Sequence, residues 1–261
     1  MAAVATLLDR QPPLRTLRRA LPRAGLRLVP CRSADALLRL LQQRILEAIV
    51  VSPEPDDPGI ARVREQFPAI PMIAFAPFRP GDGEILRACG RSGLAGVMVE
   101  GVDDAVAGEL TRRVSLSSVL AGALADAPRA LRLRDPLQRQ VWELLLTLID
   151  RQPRTVDLAR RLGITRDHLS RQFGAGGAPN LKRVMDLVRV AAAAILLRNP
   201  GYTGTDVARL LDFSSASHLG GASRRIGGLP VSALATSGPR GVLEGFAGGR
   251  GRSRRQRAAN S

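Results

Sequence analysis

The stretch "DLARRLGITRDHLSRQF", residues 157–173, reads as a short amphipathic helix that stops and then resumes. Gly163 interrupts the helical spacing, and a glycine supplies the left-handed turn that ends a helix. Thr165 follows two residues later, where its side-chain oxygen can cap the next helix. Two short helices joined by such a turn are typical of a helix-turn-helix, although any two packed helices can look alike. The apolar positions expected in the core are Leu158, Ala159, Leu162, Leu169 and Phe173.

A second copy of the pattern begins at Asp206 with "DVARLLDFSSASHL", 49 residues after the first copy. In this alignment Thr165 recurs as Ser214, and His168 recurs, with one extra residue, as His218. An internal repeat of this kind is hard to explain by chance. The sequence therefore predicts two helix-turn-helix motifs in the second half of the chain.

A linking helix is predicted between the two copies, because "NLKRVMDLVRVAAAAILLRNPG" is rich in helix formers and ends in Pro-Gly. The whole layout resembles the AraC/XylS family of bacterial transcription regulators over roughly Pro136 to Leu234. The resemblance rests on the first motif, on the linking helix with Arg189, and on the second motif with its ending "GGLPVSAL" around Pro230. It implies that the linking helix holds two recognition helices in successive major grooves on one face of double-stranded DNA.

Two kinds of DNA contact are expected from the first recognition helix. The resemblance places its base-facing positions at Asp167, Ser170 and Arg171. Arg171 is the strongest candidate, because an arginine fork matches the O6 and N7 acceptors of guanine. Contacts to backbone phosphates give affinity and carry little sequence information. The residues suited to them are Thr165 and Arg166.

The second motif departs from the family pattern. Asp212 stands at the turn where the family has glycine, and Gly220 and Gly221 replace the exposed polar pair of the recognition helix. Ser223 stands where the family prefers an aromatic residue. Two glycines cost about 1 kcal/mol each in a helix interior, so we expect a degenerate motif that is weakly ordered and reads bases poorly. At most, we expect backbone contacts from Ser214, Ser215, Ser217, Arg224 and Arg225.

Charge favours a polyanionic partner. The chain carries 39 Lys+Arg against 23 Asp+Glu, a formal net charge of +16. Residues 1–115 have a net charge of +3, residues 116–239 of +8, and residues 240–261 of +5. Positive charge in the half with the motifs suits binding to DNA. A coding bias towards arginine is the alternative, since Lys182 is the single lysine, but it does not explain the shortage of acidic residues.

The first half alternates short apolar runs with amphipathic segments. Five predicted strands alternate with five predicted helices in about 115 residues, which indicates an α/β domain with a doubly wound, five-stranded parallel sheet. The strongest strand, "ILEAIVV", covers residues 45–51, and "LRLVPC" covers residues 26–31. The helix "PPLRTLRRALPRAG" opens on proline and closes on glycine.

This layout resembles the receiver domain of response regulators but lacks its chemical motif. A receiver carries an acidic pair after its first strand, where this chain has Asp9 followed by Arg10. Ser52 takes the place of the phosphoacceptor aspartate, and "MVEGV" lacks the lysine of the fifth strand. We therefore expect a degenerate, receiver-like domain that forms a homodimer or docks a protein partner. The acidic residues after the third strand either bind a cation or form a solvated loop; they are Glu54, Asp56 and Asp57.

An enzyme is not expected. The sequence shows no phosphate loop, no dinucleotide glycine fingerprint and no His/Cys metal cluster, so we expect no catalytic residues, no cofactor and no metal. His168 and His218 occupy corresponding places in the repeat, which favours a structural role. We expect His168 to pack against its own motif rather than to contact DNA.

Composition and the positions of glycine and proline predict the domain boundaries. A receiver-like domain is expected at 1–115, a partly helical linker at 116–135, the DNA-binding domain at 136–237, and a disordered basic tail at 238–261 that either tracks phosphates or aids solubility. No apolar run approaches the ~20 residues of a membrane span. The two cysteines have no metal-type spacing, and the N-terminus has no signal-peptide pattern, so we expect a cytoplasmic protein.

The sequence thus favours an α/β domain followed by an all-α domain that binds a specific DNA sequence and regulates transcription. One alternative is a protein-interaction adaptor that descends from a regulator and no longer reads DNA sequence. A third is a nonspecific nucleic-acid binder that depends on the basic tail.

Overall fold

The computed structural model of the protein describes residues 2–53, 57–79, 81–91 and 93–249. The chain divides into two compact units. Unit 1 comprises Met1–Val119 and Asn199–Gly201, and unit 2 comprises Leu120–Arg198 and Tyr202–Ser261. Within the described ranges, no helix has both the length and the apolar character needed to cross a membrane.

Unit 1 contains a five-stranded parallel sheet in the order β2-β1-β3-β4-β5. All four neighbouring pairs are parallel, with Val4 of β1 between Leu28 of β2 and Ala48 of β3. This is the flavodoxin-like order of doubly wound sheets, and it confirms the predicted fold class. The strands are β1 (Ala2–Leu7), β2 (Leu26–Cys31), β3 (Ala48–Val51), β4 (Met72–Ala76) and β5 (Gly96–Val99).

Local sequence signals start the helices of unit 1. Proline occupies the first turn of α1 and α3, where its missing N–H costs nothing. Ser33 caps α2 by accepting a hydrogen bond of 3.2 Å from the N–H of Ala36. The helices are α1 (Gln11–Arg23), α2 (Ala34–Gln43), α3 (Pro58–Gln66), α4 (Gly83–Arg91) and α5 (Ala107–Arg113).

The strands of unit 1 are buried because helices cover the sheet, as expected for a parallel sheet. Every residue of β3 is buried, which explains the continuous apolar run seen in the sequence. β3 is shorter than the strand predicted at residues 45–51. Ile45, Leu46 and Glu47 are buried as well, but they precede the strand, so their apolar character reflects burial and not strand pairing. One core cluster joins the sheet to helices α1 and α5; it includes Val4, Leu17, Leu21, Val50, Ile73, Phe75 and Ala107.

The segment predicted as a linker contains two short helices, α6 (Leu116–Ala123) and α7 (Ala127–Ala130). Glu47 fixes the start of α6 within unit 1. Glu47 is 1 % exposed, and its carboxylate accepts hydrogen bonds from the N–H of Ser117 at 2.8 Å and the hydroxyl of Ser117 at 2.7 Å. A carboxylate is stabilised at a helix N-terminus by the unpaired N–H groups there.

Unit 2 is helical and packs around α11, the predicted linking helix. Most of α11 is buried, including the alanine run 191–194. Asn180 caps it by accepting a hydrogen bond of 2.9 Å from the N–H of Arg183. The helices are α8 (Pro136–Thr147), α9 (Thr155–Arg161), α10 (Arg166–Phe173), α11 (Leu181–Leu196), α12 (Gly204–Leu210), α13 (Ala216–Gly227) and α14 (Val231–Ala247), with a 3₁₀ turn at Ala175–Gly177.

The prediction of a disordered tail is wrong between Gly238 and Ala247. The chain bends at Gly238, which has φ 63°, and then continues as the second half of α14. Val242, Leu243 and Phe246 are buried there. The glycines that suggested disorder allow a close helix contact instead, and burial of these apolar side chains stabilises the segment. The rest of the tail, residues 250–261, lies outside the described residues.

Candidate nucleic-acid interface

The first motif has the turn that its sequence predicts. Helix α9 ends before Gly163, which has φ 67°. The N–H of Ile164 donates to the carbonyl of Ala159 at 3.1 Å and closes the turn. Thr165 then caps α10, because its hydroxyl accepts a hydrogen bond of 3.2 Å from the N–H of His168. Glycine and threonine therefore play the two local roles expected of them.

Helix α10 separates an apolar side from an exposed polar side. Leu169 and Phe173 are fully buried, as predicted. The spacing of the polar residues places them on neighbouring positions of the helix surface. His168 is exposed as well, so the expectation that it packs against its own motif is wrong. The five predicted contact residues of this motif are all exposed: Thr165, Arg166, Asp167, Ser170 and Arg171.

A buried amide holds the C-terminal end of α10. Gln138 of α8 is 2 % exposed, and its Nε2 donates to the carbonyls of Phe173 at 2.8 Å and Ala175 at 3.1 Å. Its Oε1 accepts from the N–H groups of Arg134 at 2.8 Å and Asp135 at 3.0 Å. The last carbonyls of a helix have no partner within it, so Gln138 ties the end of α10 to the start of α8. Sequence reasoning missed this role, and its one signal was a glutamine three residues after Asp135, the spacing of a capping box.

The turn of the second motif is built around a residue other than glycine. Asp212 has φ 56°, close to the 67° of Gly163. The N–H of Phe213 donates to the carbonyl of Ala208 at 2.8 Å, which repeats the closing bond of the first turn. Ser215 caps α13 by accepting a hydrogen bond of 3.0 Å from the N–H of His218. The structural counterpart of Thr165 is therefore Ser215, and the predicted match with Ser214 is wrong by one residue.

The expectation of a weakly ordered second motif is also wrong. Helix α13 runs without a break through Gly220 and Gly221. Gly220 is buried, and a Cβ there would lie 3.6 Å from Val231, whereas Gly221 is exposed with open space around it. Ser223 is buried and donates to the carbonyl of Leu229 at 2.6 Å. Tertiary packing therefore outweighs the low helix propensity of glycine.

All five predicted contact residues of the second motif are exposed, but three are engaged within the protein. Ser215 caps the helix, and Arg225 forms an ion pair of 3.5 Å with Asp186 of α11. His218 lies edge-on to the Phe213 ring, with 5.5 Å between ring centroids. The Ser214 hydroxyl lies 3.0 Å from His218 Nδ1. The remaining two residues are Ser217 and Arg224.

Arg189 of α11 contacts the turn of the second motif. Its Nε and Nη2 donate to the carbonyl of Leu211 at 3.1 and 2.7 Å, and Nη2 also donates to the carbonyl of Asp212 at 2.5 Å. Its guanidinium lies 4.1 Å from the centroid of the Phe213 ring. Burial lowers the pKa of Arg189, and Asp186 and Asp212 oppose that shift. The sequence signal for this role was a single arginine in an otherwise apolar, alanine-rich run.

In unit 1, polar side chains meet at the carboxyl ends of the strands. The Ser52 hydroxyl donates to the Asp9 carboxylate, and the N–H of Asp9 donates back to Ser52 Oγ at 3.3 Å. Arg10 and Glu100 form an ion pair of 2.7 Å. The structure thus brings together residues from the ends of β1, β3 and β5, and they partner one another.

The predicted alternative of a cation in the loop after β3 falls mostly outside the described residues, because Glu54 and Asp56 are not among them. Asp57 is described, and its carboxylate caps α3 by accepting from the N–H of Gly59 at 2.7 Å. Within the described part of the chain, no group of three or more His, Cys, Asp or Glu residues could hold a metal ion.

Comparisons with known proteins agree with the helical motif. Residues 158–237 match a family model described as a helix-turn-helix domain. No protein among the curated sequences matches the chain.

Two solved structures align with the chain at low similarity. One is full-length FixJ from B. japonicum, with 17 % identity and a TM-score of 0.36, covering 84 % of this chain and 97 % of that one. The other is RcsB from Salmonella enterica serovar Typhimurium, bound to promoter rprA in the presence of a phosphomimetic, with 18 % identity and a TM-score of 0.33. That alignment covers 66 % of this chain and 88 % of RcsB.

Proposed function

We propose that this chain is a sequence-specific, DNA-binding transcription regulator of the AraC type, in which α10 reads base edges in the major groove. The observation that carries the proposal is the exposed polar side of α10, capped at Thr165 and held at its other end by Gln138. The match of residues 158–237 to a helix-turn-helix domain supports it. A recognition helix requires this combination of a fixed backbone and unobstructed polar side chains.

Within α10 the side chains suit different parts of DNA. Arg171 lies in the last turn and is exposed, so its planar fork is available for two parallel hydrogen bonds to guanine. Asp167 and Ser170 lie beside it as further candidates for base contacts. Thr165 and Arg166, at the start of the helix, suit phosphates, because contacts there set the position of the helix on the duplex.

The second motif contributes affinity more than sequence preference in this proposal. Gly221 occupies an exposed position of α13 and has no side chain with which to contact a base edge. Arg225 is already paired with Asp186. Ser214, Ser215, Ser217 and Arg224 remain candidates for phosphate contacts, which increase binding to every sequence alike.

Unit 1 serves as a degenerate receiver-like module in the same proposal. Ser52 and Asp9 are hydrogen-bonded to each other, and Arg10 pairs with Glu100, where a receiver would hold Mg²⁺ and take a phosphoryl group. We propose that this module, assigned to residues 1–115, mediates homodimerisation or docks a protein partner. The linker is assigned to residues 116–135 and the DNA-binding domain to residues 136–237.

Selection of bound fragments from a random DNA pool, followed by binding isotherms at several salt concentrations, tests the proposal. Arg171→Ala should lower the preference for the selected site over scrambled DNA by about 1–3 kcal/mol, with little change in the salt slope. Arg166→Ala is the matched control: it should weaken binding to both DNAs alike and lower the salt slope by about one. Truncation after Gly249, which removes five arginines of the tail, should act like Arg166→Ala if the tail tracks phosphates. Full preference in Arg171→Ala would contradict the assignment of α10.

An adaptor that no longer reads DNA is the second candidate. It is favoured by the exposed Gly221, which gives α13 no side chain for a base contact at that position. The same experiment separates the two functions. If no motif is enriched and the intact protein binds scrambled DNA as tightly as any selected fragment, the adaptor or a nonspecific binder replaces the regulator.

A further inference from the structure

The turn of the second motif places a non-glycine residue in the left-handed region of backbone conformation. Asp212 has φ 56°, whereas the first motif uses Gly163 with φ 67° at the corresponding place. Residues with a Cβ rarely adopt this conformation, although aspartate tolerates it better than most. Such a residue persists where the surrounding structure fixes it, so the second turn depends on contacts that the first turn does not need.

Arg189 supplies contacts on both sides of the strained residue. Its guanidinium donates to the carbonyl of Leu211, just before Asp212, and to the carbonyl of Asp212 itself. Leu211 is the residue that caps the C-terminal end of α12, where carbonyls have no partner within the helix. A guanidinium suits this place, because its donors form a rigid planar fork that one lysine ammonium does not reproduce.

The same arginine is connected to the first turn of the second recognition helix. Its guanidinium covers the Phe213 ring at 4.1 Å, and the edge of His218 meets that ring at an interplanar angle of 89°. His218 Nδ1 lies 3.0 Å from the Ser214 hydroxyl. The stack therefore runs from the linking helix through Phe213 to residues at the start of α13.

Arg189 is itself largely shielded from solvent. Its side chain is 22 % exposed, and Asp186 lies 3.8 Å from it on α11. Asp186 also pairs with Arg225 of α13 at 3.5 Å. Asp186 of the linking helix thus pairs with Arg189, which contacts the turn, and with Arg225 of α13.

We propose that Arg189 is a positioning residue, which replaces the missing turn glycine of the second motif and sets the direction of α13. The part of this inference that concerns DNA rests on the proposed function. The part that concerns the backbone of the turn does not. If it holds, the second motif keeps a fixed orientation on DNA although its own sequence departs from the pattern of a self-sufficient motif.

Hydrogen exchange of backbone amides in the full chain tests the proposal without DNA. Arg189→Met keeps the alkyl stem and removes the donors, and it should raise exchange of the amides from Phe213 to Leu219 by about tenfold or more, because hydrogen bonds from a charged donor are lost. Arg189→Lys keeps the charge but not the planar fork, so its exchange rate should lie between those of the intact protein and Arg189→Met. Asp212→Gly removes the strain, so adding it to Arg189→Met should return exchange most of the way to that of the intact protein.

Arg183→Met is the matched control. Arg183 lies on the same helix and covers the Phe246 ring at 5.0 Å, so its loss should leave exchange in the second turn unchanged. Equal acceleration of exchange throughout unit 2 in Arg189→Met would overturn the proposal, because it would show a general loss of stability. Unchanged exchange in the second turn of Arg189→Met would overturn the proposal too. So would a double variant, Arg189→Met with Asp212→Gly, whose exchange stays as fast as that of Arg189→Met.

A footprint on the selected DNA site extends the test. Arg189→Met should weaken protection of one half-site, and the added Asp212→Gly should restore it, while protection of the half-site that Arg171→Ala affects stays intact. Simultaneous loss of both half-sites would contradict a role confined to α13. If the intact protein shows no preferred site, the proposed function fails, and the exchange experiment still decides the role of Arg189.

Discussion

Replacement of Gln138 by leucine removes one buried amide that serves four backbone groups. Leucine has a similar volume, so the packing of α8 should change little, but the carbonyls of Phe173 and Ala175 and the N–H groups of Arg134 and Asp135 lose their partner. A fully buried backbone group without a partner costs about 1–3 kcal/mol, and a group that water can reach costs less. Only the bond to Phe173 is fully buried. Adding about 2 kcal/mol for it to about 0.5 kcal/mol for each of the other three gives a loss of about 3.5 kcal/mol.

The chain offers a built-in probe for this measurement. Trp142 is the only tryptophan, lies one turn after Gln138 on α8, and is 4 % exposed. Its fluorescence during urea unfolding therefore reports on unit 2. With a denaturant slope of about 1–3 kcal/mol per molar urea, Gln138→Leu should lower the midpoint by about 1.2–3.5 M.

Gln172→Leu provides the control, because Gln172 makes a long hydrogen bond of 3.5 Å to Asp135 from the same cluster. Loss of such a partly exposed contact should change the free energy of unfolding by about 0.5 kcal/mol or less. Equal shifts in the two variants would refute the assignment of Gln138 as the group that holds the end of α10.

Three further predictions concern unit 1 and the C-terminal helix. In the proposed receiver-like module Ser52 takes the place of the phosphoacceptor, so incubation with acetyl phosphate and Mg²⁺ should add no phosphate by intact-mass measurement; a stoichiometric adduct would contradict this. Residues 1–115 should dimerise at micromolar concentration, and light scattering that shows only monomer would contradict that. A Cβ at Gly245 would clash with the carbonyl oxygen of Gly227, so Gly245→Ala should destabilise unit 2 by about 1–3 kcal/mol. The control is Gly221→Ala, in open space, which should be neutral or stabilising by up to about 1 kcal/mol. A neutral Gly245→Ala would show that α14 does not pack as described.

Elements with strong local signals could be predicted from the sequence. The strand Leu26–Cys31 was predicted to the residue, because an apolar run between a glycine and a capping serine leaves little freedom. Helix α10 was also accessible, since Gly163 and Thr165 specify the turn and the cap by themselves. In both cases the residues that determine the structure are neighbours in the chain.

The tail could not be predicted in this way. Between Gly238 and Ala247 the sequence is rich in glycine, and composition alone favours disorder there. The segment is helical because it packs on other helices of unit 2, where Gly245 approaches Gly227 closely and Arg183 covers Phe246. Composition indicates whether a segment folds in isolation, but it carries no information on a helix elsewhere in the chain against which the segment packs.

Contacts from distant residues also account for the fold of the second motif. Asp212, Gly220 and Gly221 each weaken a helix-turn-helix when only nearby residues are considered. The compensating contact from Arg189 comes from 22 residues away, and the bond that Gln138 makes to Phe173 in the first motif spans 35 residues. Departure from a family pattern at the turn therefore did not cost the second motif its fold. What the motif lacks is a side chain at Gly221, so we expect its weakness to lie in reading bases and not in holding its shape.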